Sequence, residues 1–440
     1  MLNENNQHSY AIRRRPRILF VAEAVTDCHV TRPLVLAQSL NRDDYDVHFA
    51  CDPLKRELIG TVPNFHPLEN DRGREQFLRN LEHGKPAFNK DTLVKRAQQD
   101  IQLLQNVRPD VVVGDMRLSL ACSARVFKTK YCSITNAYWS PYGKQPWTIP
   151  ELPITRLLGP QIPSPFFRAV RPLAFAMHCL PFHSAIRQLR KEWKHQPDLD
   201  INLLPRPTFD LRKLYTDADE VLYADLPTLV PTSKLPHNHQ YLGPILWSKP
   251  GAMPEKWHGM DQKLQAVYIS LGSSGPVKLL PTLIKTLAKL RPKINILVST
   301  SGRATIDEAI AAKPNVLVEK YLPSGEVCRH VDLAIGHGGS ASAYVALAAG
   351  TPVLGIASIL DQHLTIRYIS KWRSKNDDSN GVGPARWLRS ENATPESITT
   401  LTREMLGDER YRIAAKKIAS LFSESNMHEK FRASLKQLVG

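Results

Sequence analysis

The stretch that decides the fold is 331–362, which reads VDLAIGHGGSASAYVALAAGTPVLGIASILDQ. Its apolar runs predict a strand at 331–335, a helix at 341–349 and a second strand at 353–356. A glycine turn at 337–339 joins the first strand to the helix. Ser340 is expected to cap the helix, because its hydroxyl can accept a bond from a first-turn N–H group. The stretch therefore predicts one strand–helix–strand unit of a parallel sheet.

This glycine turn is also a candidate anion site. The absence of side chains lets a ligand approach the backbone, and the free N–H groups and dipole of a helix start favour negative charge. The residues 338–342 are therefore predicted to bind a diphosphate. An ordinary strand-to-helix turn is the alternative interpretation.

The composition limits the class of protein. The chain has 440 residues, a net charge of +16 and six cysteines without a CxxC pair, which predicts two or three domains with reduced thiols and no metal site. A basic balance favours nucleic acid, an anionic membrane surface or an acidic substrate as partner. No helix-turn-helix, zinc-finger or RNP-like pattern occurs, so nucleic acid is not expected.

The sequence predicts a cytoplasmic location. The first residues, MLNENNQHSYAIRRRPR, are polar and do not resemble a secretory signal. The chain has no run of 18 apolar residues, so no membrane span is expected.

The first half contains a candidate acid–base pair. A strand at 17–22, a helix at 33–40 and a strand at 47–51 predict a parallel sheet with crossover helices. In such sheets ligands bind beyond the carboxyl ends of the strands. His29 follows the first strand, and Asp115 follows a strand at 110–114. We expect His29 to act as a base that Asp115 orients, although a capping or surface role is open for each.

An aromatic group follows the next predicted strand. Tyr138, Trp139 and Tyr142 are candidates for an apolar acceptor pocket, and a buried role that anchors the loop is the alternative.

A proline-rich region at about 150–215 is expected to be an insertion. Within it, residues 166–193 alternate apolar and cationic side chains, a pattern that suits an anionic bilayer surface or a packed helical insertion. The prolines at 172 and 181 predict several short helices rather than one long helix.

The second half repeats the strand–helix pattern after a linker. A strand at 266–270 runs into a flexible loop at 271–275, and further strands are predicted at 294–298 and 316–319. Two such sheets joined by a linker leave a cleft, which is a favoured ligand site.

These residues resemble the UDP-glycosyltransferase superfamily, including bacterial macrolide- and lipid-type enzymes. The family's donor signature runs His-Gly-Gly-x-Gly-Thr, Glu-Ala-Leu, Gly-x-Pro and Asp-Gln, and this chain has HGGSAS, VAL, GTP and DQ in that order. The sequence CHVTRPLVLAQSL from residue 28 is similar to the family's GHxxPxxxLAxxL, which carries the catalytic histidine. YLGPI and SLGSSG match two further motifs.

The resemblance implies an α/β fold of the GT-B type, with two Rossmann-like domains facing each other across a cleft. The implied acceptor domain is 1–240, the linker is 241–262, and the nucleotide-sugar domain is 263–440 with a C-terminal helix that returns to the first domain. The implied reaction is the inverting transfer of a hexose from a UDP- or dTDP-sugar to a small or lipophilic hydroxyl acceptor, without a metal or other cofactor.

The resemblance also implies a role for each matched residue. His29 would be the general base, oriented by Asp115. Tyr321 would stack on the nucleobase and Leu322 would offer it backbone groups. The remaining donor-binding residues would be Ser273, Ser274, His337, Gly338, Gly339, Ser340 and Ser342 at the diphosphate, and Asp361 and Gln362 at the sugar.

Departures from the family pattern raise alternatives. Val345 stands where the family has a carboxylate or amide that holds the ribose hydroxyls, and Ala341 replaces a motif glycine. We therefore expect relaxed nucleotide discrimination. Two further interpretations stay open: a peripheral-membrane enzyme on the inner membrane face that glycosylates a lipid, and a catalytically impaired protein that only binds nucleotide-sugars.

Overall fold

The computed structural model describes residues 14–62, 64–69, 73–144, 148–159, 163–374 and 381–440. The predicted first domain and insertion include residues 1–13 and 160–162, which lie outside this range. The described chain forms two α/β domains. In this part of the chain no helix is long and apolar enough to cross a membrane.

The first domain is built on a seven-stranded sheet in which every pair of neighbours is parallel. Its strands are β1 (Arg17–Ala22), β2 (Asp46–Cys51), β3 (Phe65–Pro67), β4 (Val111–Asp115), β5 (Lys130–Thr135), β6 (Glu220–Tyr223) and β7 (His239–Tyr241). The order β3-β2-β1-β4-β5-β6-β7 places β1 beside β4. The carboxyl ends of these two strands therefore lie side by side, with Ala22 opposite Asp115.

Helices cover both faces of this sheet, as parallel strands require. They are α1 (Cys28–Gln38), α2 (Arg56–Ile59), α3 (Gly73–Glu82), α4 (Lys90–Val107), α5 (Leu120–Val126), α6 (Pro153–Leu158), α7 (Pro163–Glu192) and α8 (Leu211–Tyr215). The helix α1 begins five residues before the predicted start at Pro33, so His29 lies on the helix and not in a loop.

The predicted division of residues 166–193 into short helices is wrong. The structure has one helix, α7, which continues through Pro172 and Pro181. Its inner face buries Phe175, Phe182 and Leu189, and α7 packs along α4. Tertiary packing of this apolar face offsets the backbone hydrogen bonds that the two prolines cannot make.

The second domain is built on a six-stranded parallel sheet in the order β10-β9-β8-β11-β12-β13. Its strands are β8 (Ala266–Ser270), β9 (Asn295–Ser299), β10 (Val316–Glu319), β11 (Leu333–Gly336), β12 (Val353–Ala357) and β13 (Ala385–Arg389). Two all-parallel sheets with crossover helices confirm the predicted pair of Rossmann-like domains.

The remaining helices belong to the second half of the chain. They are α9 (Glu255–His258), α10 (Leu280–Leu287), α11 (Glu308–Ala311), α12 (Ser324–Arg329), α13 (Ser340–Ala348), α14 (Leu360–Lys371), α15 (Pro395–Gly407), α16 (Arg410–Ser423) and α17 (Met427–Val439). The short helix α9 lies within the segment that the sequence predicts as linker, and its Trp257 is buried.

The last helix, α17, packs against the first domain. Phe431 is fully buried, and its ring centroid lies 6.1 Å from that of Phe20 on β1. Met427 and Leu435, one turn to either side, join the same hydrophobic cluster. The chain therefore crosses between the domains a second time, which holds the two sheets in one arrangement.

Candidate active site

The floor of the cleft carries a histidine–carboxylate pair. His29 is the second residue of α1, and Asp115 is the last residue of β4. The distance between His29 Nδ1 and Asp115 Oδ1 is 2.7 Å, and both residues line the cleft. Because Nδ1 is engaged by the carboxylate, Nε2 is the ring nitrogen left for proton transfer.

A third residue, which the sequence analysis missed, completes this group. Arg32 Nε and Nη2 donate to the two oxygens of Asp115 at 2.7 and 2.8 Å. Arg32 is three residues after His29 on α1, so both side chains project from one face of the helix. That spacing is the sequence signal that would have identified it.

The charged residues of this group shift the pKa values of Asp115 and His29. Burial alone would raise the pKa of Asp115, but Arg32 and His29 lower it below its ordinary value. Burial disfavours the imidazolium of His29, yet the sulfur of Cys28 and the carboxylate of Asp115 outweigh it and raise the pKa of His29. Cys28 Sγ also lies 3.0 Å from Thr26 Oγ1. His29 is therefore a stronger base than a free histidine.

The glycine turn lies across the cleft from this group. Gly338 has a φ of +79°, a left-handed conformation that glycine adopts without strain. The predicted cap is wrong by one residue. Gly339 is the N-cap of α13, Ser340 is the first residue of the helix, and no side chain makes a capping hydrogen bond. The first-turn N–H groups of a helix have no acceptor within that helix. Backbone donors of α13 are thus available to an anion in the cleft.

His337 is packed between this turn and the loop after β8. A Cβ added at Gly275 would lie 2.5 Å from the Cβ of His337, and one at Gly339 would lie 2.6 Å from its Nε2. Burial, with a smaller effect of Arg303, lowers the pKa of His337 to about 4. The imidazole is therefore neutral at pH 7 and offers a hydrogen bond rather than a charge.

The loop after β8 also touches the start of α1, the helix that carries His29. Ser273 Oγ accepts a hydrogen bond of 3.3 Å from the backbone N–H of Asp27, the residue just before α1. Ser274 Oγ accepts one of 3.4 Å from the side-chain amide of Gln362. Ser273 and Ser274 both line the cleft, so this loop joins the two halves of the site.

The aromatic ring of Tyr321 lines another part of the cleft. Tyr321 is 43% exposed, and the ammonium groups of Lys249 and Lys320 each lie 5.4 Å from its ring centroid. Leu322 and Val345 are buried and also line the cleft. A flat ring flanked by cations suits a nucleobase, and Val345 provides no hydrogen bond to a ribose.

The structure separates Asp361 from Gln362, which the sequence analysis assigned together to the sugar. Asp361 lines the cleft. Gln362 is 1% exposed. Its side-chain oxygen Oε1 accepts from the backbone N–H groups of Ser358 and Ile359 at 3.0 and 3.4 Å. Its side-chain amide therefore caps the start of α14, where these partly buried backbone donors need an acceptor, and it also supports Ser274.

The predicted acceptor aromatics also differ in position. Trp139 lines the cleft, whereas Tyr138 is fully buried and its hydroxyl donates to Asp361 at 2.8 Å. Tyr142 packs edge-on against His239, away from the cleft-lining residues. Tyr138 and Tyr142 therefore do not form the acceptor wall, and Tyr138 instead connects the domains.

Other side chains form the apolar wall of the first domain. The cleft has a volume of about 1010 Å³. On this side it is lined by aromatic and aliphatic residues from α3, α4, α7 and α8 and the loops near them: Phe77, Phe88, Leu93, Phe175, Phe182 and Leu214. They are far apart in the sequence, so only the packing of four helices brings them together. In the described part of the chain no three His, Cys, Asp or Glu residues are placed to hold a metal.

Replacing Arg32 tests the buried charge group. Arg32→Met keeps most of the side-chain volume but leaves Asp115 with one partner, so we expect the free energy of unfolding to fall by about 3–5 kcal/mol in a urea titration. Adding Asp115→Asn removes the buried charge that has lost Arg32 as its partner, and should restore part of this loss. A loss below 1 kcal/mol in the single variant would contradict this role for Arg32.

Comparison with known proteins gives the family. No family model matches the chain. The chain is 38% identical over 412 residues to a PGL/p-HBAD biosynthesis glycosyltransferase of Mycobacterium tuberculosis, covering 93% of this chain and 90% of the relative. It is 36% identical over 414 residues to a PGL/p-HBAD biosynthesis rhamnosyltransferase of Mycobacterium bovis, covering 94% and 86%. An inactive PGL/p-HBAD biosynthesis glycosyltransferase of Mycobacterium bovis is 43% identical over 279 residues, 63% of this chain and 72% of that relative.

Solved structures share the fold. The glycotransferase of kitacinnamycin superposes with a TM-score of 0.67 at 15% identity, covering 97% of this chain and 100% of that chain. The spinosyn rhamnosyltransferase SpnG complexed with thymidine diphosphate gives 0.60 at 16%, covering 92% and 96%. The chain belongs to the family of PGL/p-HBAD biosynthesis glycosyltransferases, within the UDP-glycosyltransferase superfamily, and is an enzyme with the GT-B fold.

Proposed function

We propose that this glycosyltransferase moves a hexose from a nucleotide diphosphate sugar to an acceptor hydroxyl with inversion, using His29 as the base. The observation that carries the proposal is the hydrogen bond of 3.3 Å between Asp27 N and Ser273 Oγ. It joins the start of the base helix to the loop after β8, beside the glycine turn. The base and the proposed diphosphate site therefore face one space in the cleft.

The proposed reaction is a single displacement. His29 Nε2 takes the proton of the acceptor hydroxyl while the oxygen attacks the anomeric carbon of the sugar. The bond from that carbon to the diphosphate oxygen breaks, and the electron pair leaves with the nucleotide. Attack opposite the leaving group inverts the anomeric centre. Asp115 stabilises the imidazolium that forms, since its carboxylate accepts from Nδ1 at 2.7 Å.

The charge on the leaving group would be stabilised by fixed dipoles. The N–H groups of Gly339, Ser340 and Ser342 at the start of α13, with the Ser342 and Ser273 hydroxyls, are the candidate donors to the diphosphate. His337, being neutral, would add a hydrogen bond. General base catalysis contributes about 10²–10⁴-fold, and holding both substrates in one cleft contributes much of the rest.

For the donor nucleotide we propose a relaxed choice between UDP and dTDP. Val345 is 7% exposed and lines the cleft, so a ribose 2′-hydroxyl there gains no hydrogen bond from it. The solved relative SpnG holds thymidine diphosphate. A deoxyribose would lose nothing at this position, which supports acceptance of dTDP-sugars.

A second candidate is a peripheral enzyme that glycosylates a lipophilic acceptor at an anionic membrane surface. One observation favours it: α6 and the first half of α7 expose Leu157, Phe166, Leu173, Met177 and Leu180, each more than half exposed. The following part of α7 exposes Arg187, Arg190 and Lys191. An apolar face beside cations suits insertion at an anionic bilayer, and the opposite face of α7 lines the apolar wall of the cleft.

The role of His29 is tested by the rate and its pH dependence. We expect His29→Ala to lower kcat by about 10²–10⁴-fold, with the exposed His83→Ala as control. In the wild type kcat/KM should rise with pH through the raised pKa of His29, because the neutral imidazole is the base.

Besides Cys28, the carboxylate of Asp115 raises this pKa. Asp115→Asn removes that charge, so the rise of kcat/KM should move to lower pH while the maximal rate falls. If the rise of kcat/KM stays at the same pH in Asp115→Asn, or if His29→Ala still transfers sugar, His29 is not the base. A wild type that binds nucleotide-sugar but neither transfers nor hydrolyses it would instead support the catalytically impaired interpretation.

Nucleotide choice is tested by calorimetric titration of UDP and dTDP into the purified protein. We expect their dissociation constants to differ by less than about 10-fold, and Val345→Glu to shift preference towards UDP by offering the ribose a carboxylate. Val345→Leu serves as the matched apolar control. A wild-type preference for UDP of 100-fold or more, about 2.7 kcal/mol, would exclude relaxed discrimination.

Membrane binding is tested by sedimentation with phosphatidylglycerol-containing liposomes at low and high salt. We expect the wild type to pellet at low salt, and Leu173→Ser with Met177→Ser to weaken binding by about 10-fold because apolar area is lost. Ile413→Ser, which removes an exposed apolar side chain on α16, should have no effect. Equal binding of the two variants, or none by the wild type, would rule out this surface.

A further inference from the structure

A short turn after β5 lies where the two domains meet. We call Asn136–Trp139 the bridging turn. Asp225, just after β6 and fully buried, holds it by accepting from Asn136 Nδ2 at 2.9 Å and from the backbone N–H of Ala137 at 2.6 Å. The turn is therefore fixed at its base by one carboxylate.

One side of the bridging turn contacts the base group. Asn136 Oδ1 accepts from Arg32 Nη1 at 2.9 Å. Arg32 in turn binds both oxygens of Asp115, whose Oδ1 lies 2.7 Å from His29 Nδ1. The orientation of His29 therefore depends, through three side chains, on the position of this turn.

The other side contacts the second domain at two places. The hydroxyl of Tyr344 on α13 donates to Asp225 Oδ1 at 2.6 Å. Tyr138 Oη and Trp139 Nε1 donate to Asp361 Oδ1 at 2.8 and 3.0 Å. Two donors engage one oxygen of Asp361, and in the proposed reaction its other oxygen would accept from a sugar hydroxyl.

The central members of this chain of bonds, between His29 and Asp361 at its ends, are shielded from water. Arg32, Asp115, Asn136, Asp225 and Tyr344 are each at most 4% exposed. Hydrogen bonds in such surroundings are strong and directional, and a polar group that loses its partner there cannot replace it with water. A displacement of one of these side chains is therefore expected to displace the side chain that is hydrogen-bonded to it.

We propose that the bridging turn is a positioning element that sets the base His29 relative to the donor helix α13 and to Asp361, with Tyr344 and Asn136 as its positioning residues. The proposal rests on the proposed function for the reaction it serves, but its structural content stands without it. Neither residue touches a reacting atom; each acts by holding the groups that do.

Tyr344→Phe is the test, because it removes one hydroxyl and keeps the ring. The control is Tyr368→Phe on α14, which also removes a cross-domain hydrogen bond, the one of 2.6 Å to the carbonyl of Lys144, but lies outside the chain. We expect Tyr344→Phe to lower kcat by about 10-fold or more through misalignment. The dissociation constant for UDP or dTDP should stay within two-fold of wild type, and the control should stay within three-fold in both.

A second measurement needs no turnover. Hydrogen–deuterium exchange of the ligand-free proteins should be faster by about 10-fold in peptides covering 28–34 and 131–140 in Tyr344→Phe, and unchanged there in Tyr368→Phe. Adding Asn136→Ala should cost little further kcat, because the chain is already broken.

Equal effects of the two tyrosine variants, or faster exchange confined to α13, would overturn the proposal and leave Tyr344 as a packing contact. If the wild type transfers no sugar, the proposed function fails, while the exchange result still decides whether the bridging turn connects the two sites.

Discussion

The buried ion group of Asp115, Arg32 and His29 is the interaction on which the rest of the site depends. A carboxylate that is 1% exposed is costly to bury without partners. Arg32 supplies two charge-assisted hydrogen bonds and His29 supplies the third. The same contacts that allow the charge to be buried also hold the imidazole in one orientation and raise its pKa.

The parallel sheets explain why this group lies at a cleft. In a parallel sheet all carboxyl ends share one edge, so residues following β1 and β4 meet although they are distant in sequence. The second sheet presents its own edge, with the loop after β8 and the glycine turn before α13. Helix α17 returns to the first sheet and packs Phe431 against Phe20, which keeps the two edges facing each other.

The sequence predicted the features that depend on local pattern. Apolar runs and the glycine turn indicated both sheets and the start of α13. The positions of His29 and Asp115 after predicted strands indicated them as a candidate acid–base pair. The resemblance added the order of the motifs and the expected GT-B arrangement. Each of these rests on residues that are neighbours in the chain or at the same end of neighbouring strands.

The features that depended on tertiary packing were missed. Pro172 and Pro181 stay inside α7 because its inner face is buried. Gln362 turns inwards because the backbone at Ser358 and Ile359 needs an acceptor, and Tyr138 is buried because Asp361 and Thr365 of the other domain bond its hydroxyl. Arg32 was within reach of the sequence through its spacing from His29, yet its role requires knowing that Asp115 is buried.

In the proposed reaction one displacement, with His29 as the base, transfers the sugar. Proton NMR of the product that the wild type forms from a nucleotide-sugar of known anomeric configuration reads the outcome from the anomeric coupling constant. A single displacement gives the configuration opposite to that of the donor. Retention of the donor configuration would contradict it, because retention requires either two displacements or attack from the face of the leaving group.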